Sequence, residues 1–177
     1  MEVYLIRHTQ VALDEPTCYG QTDVDVKESF PQEAAVTRKA LQGLSFDKVY
    51  CSPLQRASKL AAYCGFPDAR RDERLKEMWM GDLEMVPFSQ VSQDHIDEWY
   101  NHYMDIQMPG GESAMDVYNR MKSFFDELRQ KPYGRVAVFY HGCAILCTEI
   151  YAGVLPRTTG FDKVPDFGSV TKIVLDK

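Results

Sequence analysis

Val3-Tyr4-Leu5-Ile6-Arg7-His8-Thr9 is a short apolar run that stops on a cation and an imidazole. Such a run, bounded by polar residues, reads as a buried strand. The same pattern recurs twice. Asp47 to Cys51 runs into Ser52-Pro53, and Val136 to Tyr140 runs into His141-Gly142, with Arg135 just before it. A further β-branched run covers Val170 to Leu175. Between these runs the apolar residues return at helical spacing. Ala34, Ala35, Ala40, Leu41 and Leu44 mark a helix over 32–44. Ser52-Pro53 reads as an N-cap followed by Pro at the first helical position, with the helix running to about Cys64 and Gly65 stopping it. Val117, Met121, Phe124, Phe125 and Leu128 trace a stripe to about Gln130, behind a Ser113/Asp116 capping box. Another apolar helix follows His141-Gly142 and runs to Ala152. Strands alternating with helices predict an α/β sheet with parallel core strands.

The rest of the chain is less regular. Residues 14–31 are rich in Asp, Pro, Gly and Thr and read as a long loop. Residues 66–87 read as irregular, residues 88–104 as an aromatic and polar helix, and Met108-Pro109-Gly110-Gly111 as a break. No internal repeat or low-complexity linker is visible.

A length of 177 residues suggests one domain spanning 1–177. Hydrophobic residues at 45% and charged residues at 26% exclude a disordered or collagen-like chain. The net charge of -6 and the lack of a basic block argue against a nucleic-acid partner. No stretch approaches the 18 apolar residues of a membrane span, and the first apolar run is too short for a signal-peptide core. The five cysteines include no C-x-x-C pair, so reduced, buried thiols in a cytoplasmic protein are expected. Oligomeric state is left open.

An acidic protein that handled an anion would have to concentrate its positive charge. The strand ends do so. In open α/β sheets, ligands bind beyond the carboxyl ends of the strands. There the pattern gathers Arg7, His8, Arg56 (in the first turn after Ser52-Pro53) and His141. Arginine forks match phosphate oxygens, and helix N-termini after Ser52 and Gly142 would add backbone N–H groups. A neutral imidazole in such a cradle is a nucleophile for phosphorus. Glu77 is a candidate acid for the leaving group, with Glu84 as the alternative carboxylate. His95 and His102, seven apart, lack a third ligand at fitting spacing and predict no metal site. Tyr19, Trp79, Met80, Trp99, Tyr100 and Tyr103 are either core or a surface for a flat substrate ring. Cys143 reads as packing rather than redox chemistry.

Leu5-Ile6-Arg7-His8-Thr9, Ser52-Pro53-Leu54-Gln55-Arg56-Ala57, Leu75-Lys76-Glu77-Met78 and His141-Gly142 resemble, in order and spacing, the histidine phosphatase superfamily (phosphoglycerate mutase-like). Pro109-Gly110-Gly111-Glu112-Ser113 matches a segment common in its bacterial phosphatase branch. The resemblance implies a three-layer α/β/α fold with a mostly parallel sheet and a small helical insertion over the site, here about residues 78–112. It implies that His8 becomes phosphohistidine, that Arg7, Arg56 and His141 bind the phosphoryl group, and that Glu77 protonates the leaving group. Gly20, Gln21, Thr22 and the Gly142 N–H would complete the phosphate site. No cofactor or metal is implied, and the partner is a small phosphomonoester. Cys18-Tyr19-Gly20-Gln21-Thr22-Asp23-Val24 is similar to the α-ribazole-5′-phosphate phosphatases of cobalamin nucleotide-loop assembly. Other phosphatases, a phosphoglycerate mutase or a non-catalytic phosphate-binding module are the alternatives. The chain departs from the pattern at three places. Thr9 stands where many members carry Gly, and Asp14 where many carry a phosphate-contacting Asn. Gly81-Asp82-Leu83-Glu84-Met85 replaces Gly-x-Trp-Glu-Gly.

Overall fold

In the computed structural model, which describes residues 1–176, the apolar runs form one five-stranded sheet. Its strands are β1 (Glu2–Arg7), β2 (Lys48–Cys51), β3 (Arg70–Arg71), β4 (Arg135–Tyr140) and β5 (Val170–Val174), in the order β3-β2-β4-β1-β5. β4 lies between β1 and β2 and is parallel to both; β3 is parallel to β2, and β5 is antiparallel to β1. The sheet is therefore mostly parallel with one antiparallel edge.

Period-two alternation divides the core between the two faces. Val3, Leu5, Val136, Val138 and Tyr140 face one side, with Met121 and Phe125 of α4 (Ala114–Arg129) and Ile145 of α5 (Gly142–Tyr151). Ile6, Ala137, Phe139 and Cys51 face the other, with Ala34 of α1 (Phe30–Ala40) and Leu60 and Ala61 of α2 (Gln55–Tyr63). The result is a three-layer α/β/α arrangement. Val136 to Tyr140 are fully buried, which explains why this strand reads as an unbroken apolar run. Each side chain of that size contributes about 1.5–3 kcal/mol by leaving water.

Several boundaries differ from the sequence reading. α2 starts at Gln55, with Leu54 as its N-cap, rather than at Pro53. The reason is that Ser52 is fully buried and its hydroxyl lies 2.7 Å from His141 Nε2. α1 begins two residues earlier than expected, at Phe30, with Pro31 in its first turn. β3 is a two-residue strand of exposed arginines with no apolar signature, inside a stretch read as irregular. The expected helix over 88–104 shrinks to α3 (Gln93–His102), whose N-cap Ser92 accepts from His95 N–H at 3.3 Å. The Ser113/Asp116 capping box is present in both directions.

The stretch over 78–112 is tied into the molecule, since Trp99, Tyr103 and Met108 belong to the same apolar cluster as β4 and α5. Among the described residues, no helix is long and apolar enough to cross a membrane.

Candidate active site

β1 and β4 pair in register, Arg7 opposite Tyr140, so the residues that follow the two strands emerge side by side. These are His8 and His141, with ring centroids 5.2 Å apart and at most 1% exposure. His8 Nδ1 lies 2.7 Å from the Thr9 carbonyl oxygen. A carbonyl only accepts, so Nδ1 carries the proton and Nε2 keeps its lone pair. Thr9, at the departure from Arg-His-Gly, is itself fully buried. Burial, then the Arg56 and Arg7 charges, hold the His8 imidazole well below its usual pKa, despite the opposing Thr9 hydrogen bond. Burial, followed by Arg56, does the same to His141. His141 Nδ1 is buried without a partner.

The two cations are unusual in what they lack. Arg56 is fully buried, and its Nη1 donates to the Thr22 carbonyl at 3.0 Å while Nη2 donates to that of Gly20. Arg7 donates from Nη1 to the Pro165 carbonyl, and its guanidinium lies 3.9 Å from the centre of the Phe167 ring. Among the described residues, neither forms a salt bridge, and the Nε of each is buried without a partner. A buried cation without a counter-charge is costly. Burial lowers both guanidinium pKa values, although nearby anionic groups oppose the shift.

Arg7, His8, Glu77, Gly142, Tyr19 and Cys143 share one cavity of about 220 Å³. Gly142 leaves room for its neighbours, because a Cβ there would lie 2.6 Å from Val164 Cγ1 and 3.0 Å from the Arg7 guanidinium and force those side chains to shift. Cys143 is not acidified by its place in α5. A hydrogen bond with Cys147, then burial, push its thiol pKa well up.

At two places expected to contact phosphate, backbone N–H groups are already engaged within the protein. The N-terminus of α5 does not present free N–H groups throughout. Glu77 already accepts from Cys143 N–H at 3.1 Å and Ala144 N–H at 3.3 Å, as well as from Met78 N–H at 2.9 Å. Nor does the loop of Gly20, Gln21 and Thr22 aim its N–H groups at an anion site. Their backbone N–H groups donate to the carboxylate of Glu84 at 2.7–3.2 Å, joined by the Thr22 hydroxyl and Met80 N–H. The loop's carbonyls instead hold Arg56. Glu84 thus anchors this loop and, unlike Glu77, does not line the His8 cavity. Burial pushes its pKa up, but the Thr22 hydroxyl and these N–H groups outweigh that and leave it lowered. Asp14 is exposed and lines a neighbouring cleft rather than the His8 cavity itself.

Sequence reasoning missed the support behind Glu77. Arg120 donates from Nη1 to the carbonyls of Arg74 and Lys76, both at 2.6 Å, and from Nη2 to that of Glu77 at 3.0 Å. Glu112 pairs with Arg120 at 2.9 Å and also accepts from Trp79 N–H at 2.9 Å. A Cβ on Gly111 would lie 2.3 Å from the Trp79 carbonyl oxygen, so the Pro109–Ser113 segment closes tightly on the stretch after Glu77. Met85, where the family pattern has Gly, takes φ 63°, in the left-handed region that is costly for a residue with a Cβ. Of the aromatic candidates, Tyr103 is core, and its hydroxyl donates to the Thr159 carbonyl at 2.7 Å. Trp79 is half-exposed, while Tyr19 and Met80 line the His8 cavity. No group of three or more metal-ligating side chains occurs among the described residues.

Two buried histidines at the carboxyl ends of parallel strands, Arg7 beside one of them and Arg56 in the first turn of α2 thus gather at one end of an α/β sheet. The Histidine phosphatase superfamily (branch 1) profile matches residues 3–177, and the chain belongs to that superfamily. Among its relatives, phosphoserine phosphatase 1 of Hydrogenobacter thermophilus is 27% identical over 148 residues, 78% of this chain and 69% of that protein. Phosphoglycerate mutase-like protein 4 of Arabidopsis thaliana is 25% identical over 174 residues, 92% of this chain and 75% of that protein. Among solved structures, an Escherichia coli K-12 protein provisionally described as an α-ribazole-5′-P phosphatase superposes with a TM-score of 0.85 at 23% identity, covering 97% of this chain and 89% of that one. At that identity the likeness speaks for the fold.

The lowered histidine pKa values carry a pH prediction. In the unfolded chain a histidine titrates near pH 6.5 (about the free value), whereas the folded state binds the proton only well below that. Between the two values the unfolded state binds more protons, so stability falls as pH drops through about 6.5. Imidazole NMR titration of the ligand-free protein is expected to show His8 and His141 neutral at pH 6. A His8 midpoint at or above 6.5 contradicts this.

Proposed function

We propose that the chain is a phosphomonoesterase that works through a phosphohistidine on His8, with α-ribazole 5′-phosphate as its substrate. The observation that carries the phosphatase reading is the fully buried Arg56 and the partly buried Arg7, neither with an ion-pair partner among the described residues, beside a neutral His8 whose Nε2 is free to attack. A phosphoryl dianion supplies the missing counter-charge. The arginines then stabilise the extra charge on the equatorial oxygens as the bond to the leaving group breaks.

In the first step, His8 Nε2 forms a bond to phosphorus as the P–O bond of the ester breaks, and Glu77 gives its proton to the departing alkoxide. In the second, Glu77 takes a proton from water, the water oxygen attacks phosphorus, and the N–P bond breaks to release phosphate and neutral His8. His141 contributes its unpartnered Nδ1, and Gly142 its N–H, to the phosphoryl oxygens. The α-ribazole assignment is supported by the Cys18–Val24 segment and by the fold likeness to the E. coli protein.

The test is a panel of α-ribazole 5′-phosphate, phosphoglycerates, phosphoserine and sugar phosphates compared by kcat/KM. The expected result is free phosphate without an added bisphosphate primer, with α-ribazole 5′-phosphate leading the panel by about tenfold or more, the discrimination of roughly 1.4 kcal/mol. Phosphoryl transfer between substrate hydroxyls in place of release would make the protein a mutase, and binding without turnover would make it a binding module.

A further inference from the structure

Next to the His8 cavity lies a second, larger one of about 310 Å³. The two share Cys18, Met80, Phe88 and Phe161 in their walls, so the chamber adjoins the cavity that holds His8. Its own walls come from the insertion and include Leu83, Val91, Ile96, Trp99, Tyr100 and Met108. No lysine, arginine, aspartate or glutamate among the described residues lines it. Two polar atoms on its lining residues, Trp99 Nε1 and His95 Nε2, are buried without a partner, and Trp99 is only 9% exposed. The Cys18 thiol in the shared wall is pushed up to about 11 by burial first and then by Glu84, so it remains a neutral lining group at neutral pH.

From this geometry we infer that the apolar chamber is the leaving-group subsite, and that it takes an alcohol carrying an uncharged aromatic ring. The inference rests on the phosphatase reading and narrows its substrate class. The size is suitable: an apolar cavity of about 150 Å³ takes up benzene, so about twice that volume has room for a bicyclic ring. The chemistry is also suitable. A flat ring covers the aliphatic and aromatic walls, and a neutral ring nitrogen or hydroxyl can accept from Trp99 Nε1–H. The benzimidazole of α-ribazole is such a ring. A substrate whose alcohol bears a carboxylate, as phosphoserine and the phosphoglycerates do, would bring a second anion to walls that offer no lysine or arginine among the described residues, which is unfavourable. The arginines do not relieve this, because the phosphoryl group occupies them.

The test compares three phosphate esters of primary alcohols, so that leaving-group reactivity changes little: 2-naphthylmethyl phosphate, glycerol 3-phosphate and 3-phosphoglycerate. The wild-type kcat/KM is expected to be about 30-fold or more higher for the naphthylmethyl ester than for the other two, as expected when a large apolar surface leaves water. Ile96→Glu puts a carboxylate on the chamber wall and is expected to reduce that preference by about tenfold. Binding of 2-naphthylmethanol, the released alcohol, is followed by Trp99 fluorescence in the Trp79→Phe protein. Saturable binding that Ile96→Glu weakens is the expected result. Equal kcat/KM values for the three esters, with no alcohol binding, overturn the chamber assignment and leave the phosphatase reading standing. If no ester releases phosphate but the alcohol still binds and Ile96→Glu abolishes that binding, the phosphatase reading fails and the chamber remains an aromatic-ring site.

Discussion

His8→Ala is expected to lower kcat on any phosphomonoester by roughly 10⁴-fold or more, about 5.5 kcal/mol of lost transition-state stabilisation. The size follows from the role. A proton donor can be replaced by water, but an alanine offers nothing to carry the phosphoryl group, so a two-step route collapses to direct attack by water. Arg7, Arg56 and His141 remain in the variant, and ground-state affinity for the ester is therefore expected to change much less than kcat. The measurement is rapid quench with a phosphorus-labelled ester. Wild-type protein should yield an acid-labile, base-stable label on His8, and the variant none. Turnover of His8→Ala within tenfold of wild type, or a label elsewhere, would remove the phosphohistidine route.

Glu77→Gln is expected to show the second-largest effect. Its loss should depend on the leaving group in a way that no purely structural defect would reproduce. On alkyl phosphates the transferred proton matters, and a loss of about 10²–10⁴-fold is expected in the phosphorylation step. On 4-nitrophenyl phosphate the departing phenolate needs no proton, so that step should slow by less than about tenfold. Hydrolysis of the phosphoenzyme still lacks its base, so nitrophenolate should appear as a burst of about one equivalent followed by slow turnover. The amide also replaces one of two oxygens that now accept three backbone N–H groups, from Met78, Cys143 and Ala144. Some loss of stability is expected from that cause, and it would affect both substrates alike. Equal slowing of the first step on both esters would sink Glu77 as the proton donor.

How much of this could be read from the chain alone divides along physical lines. The strands β1, β2 and β4 show as apolar runs because both faces of a central parallel strand are covered, and their polar ends locate His8, Ser52 and His141 without further information. Arg56 follows from helical position. Whatever depends on contacts between distant residues was not legible. The cap that Glu77 places on α5 joins positions 66 and 67 apart, and the Glu84 hydrogen bonds reach back more than 60 residues. No periodicity records such pairs. That is why Gly20, Gln21 and Thr22 read as phosphate-site residues although their backbone N–H groups are engaged by Glu84. The Pro109–Ser113 motif was visible as a pattern, but its work, holding Arg120 and the stretch after Glu77, needed coordinates. β3 left no trace because two exposed arginines carry no burial signal.

Glu84 has a wider consequence. One carboxylate gathers N–H groups from the Gly20–Thr22 loop and from the insertion, while that loop's carbonyls hold the guanidinium of Arg56. If Arg56 clamps phosphate and the chamber takes the leaving group, as proposed, substrate selectivity and charge stabilisation hang from the same side chain. Substitutions of Glu84 and of the chamber walls are then expected to be non-additive in kcat/KM.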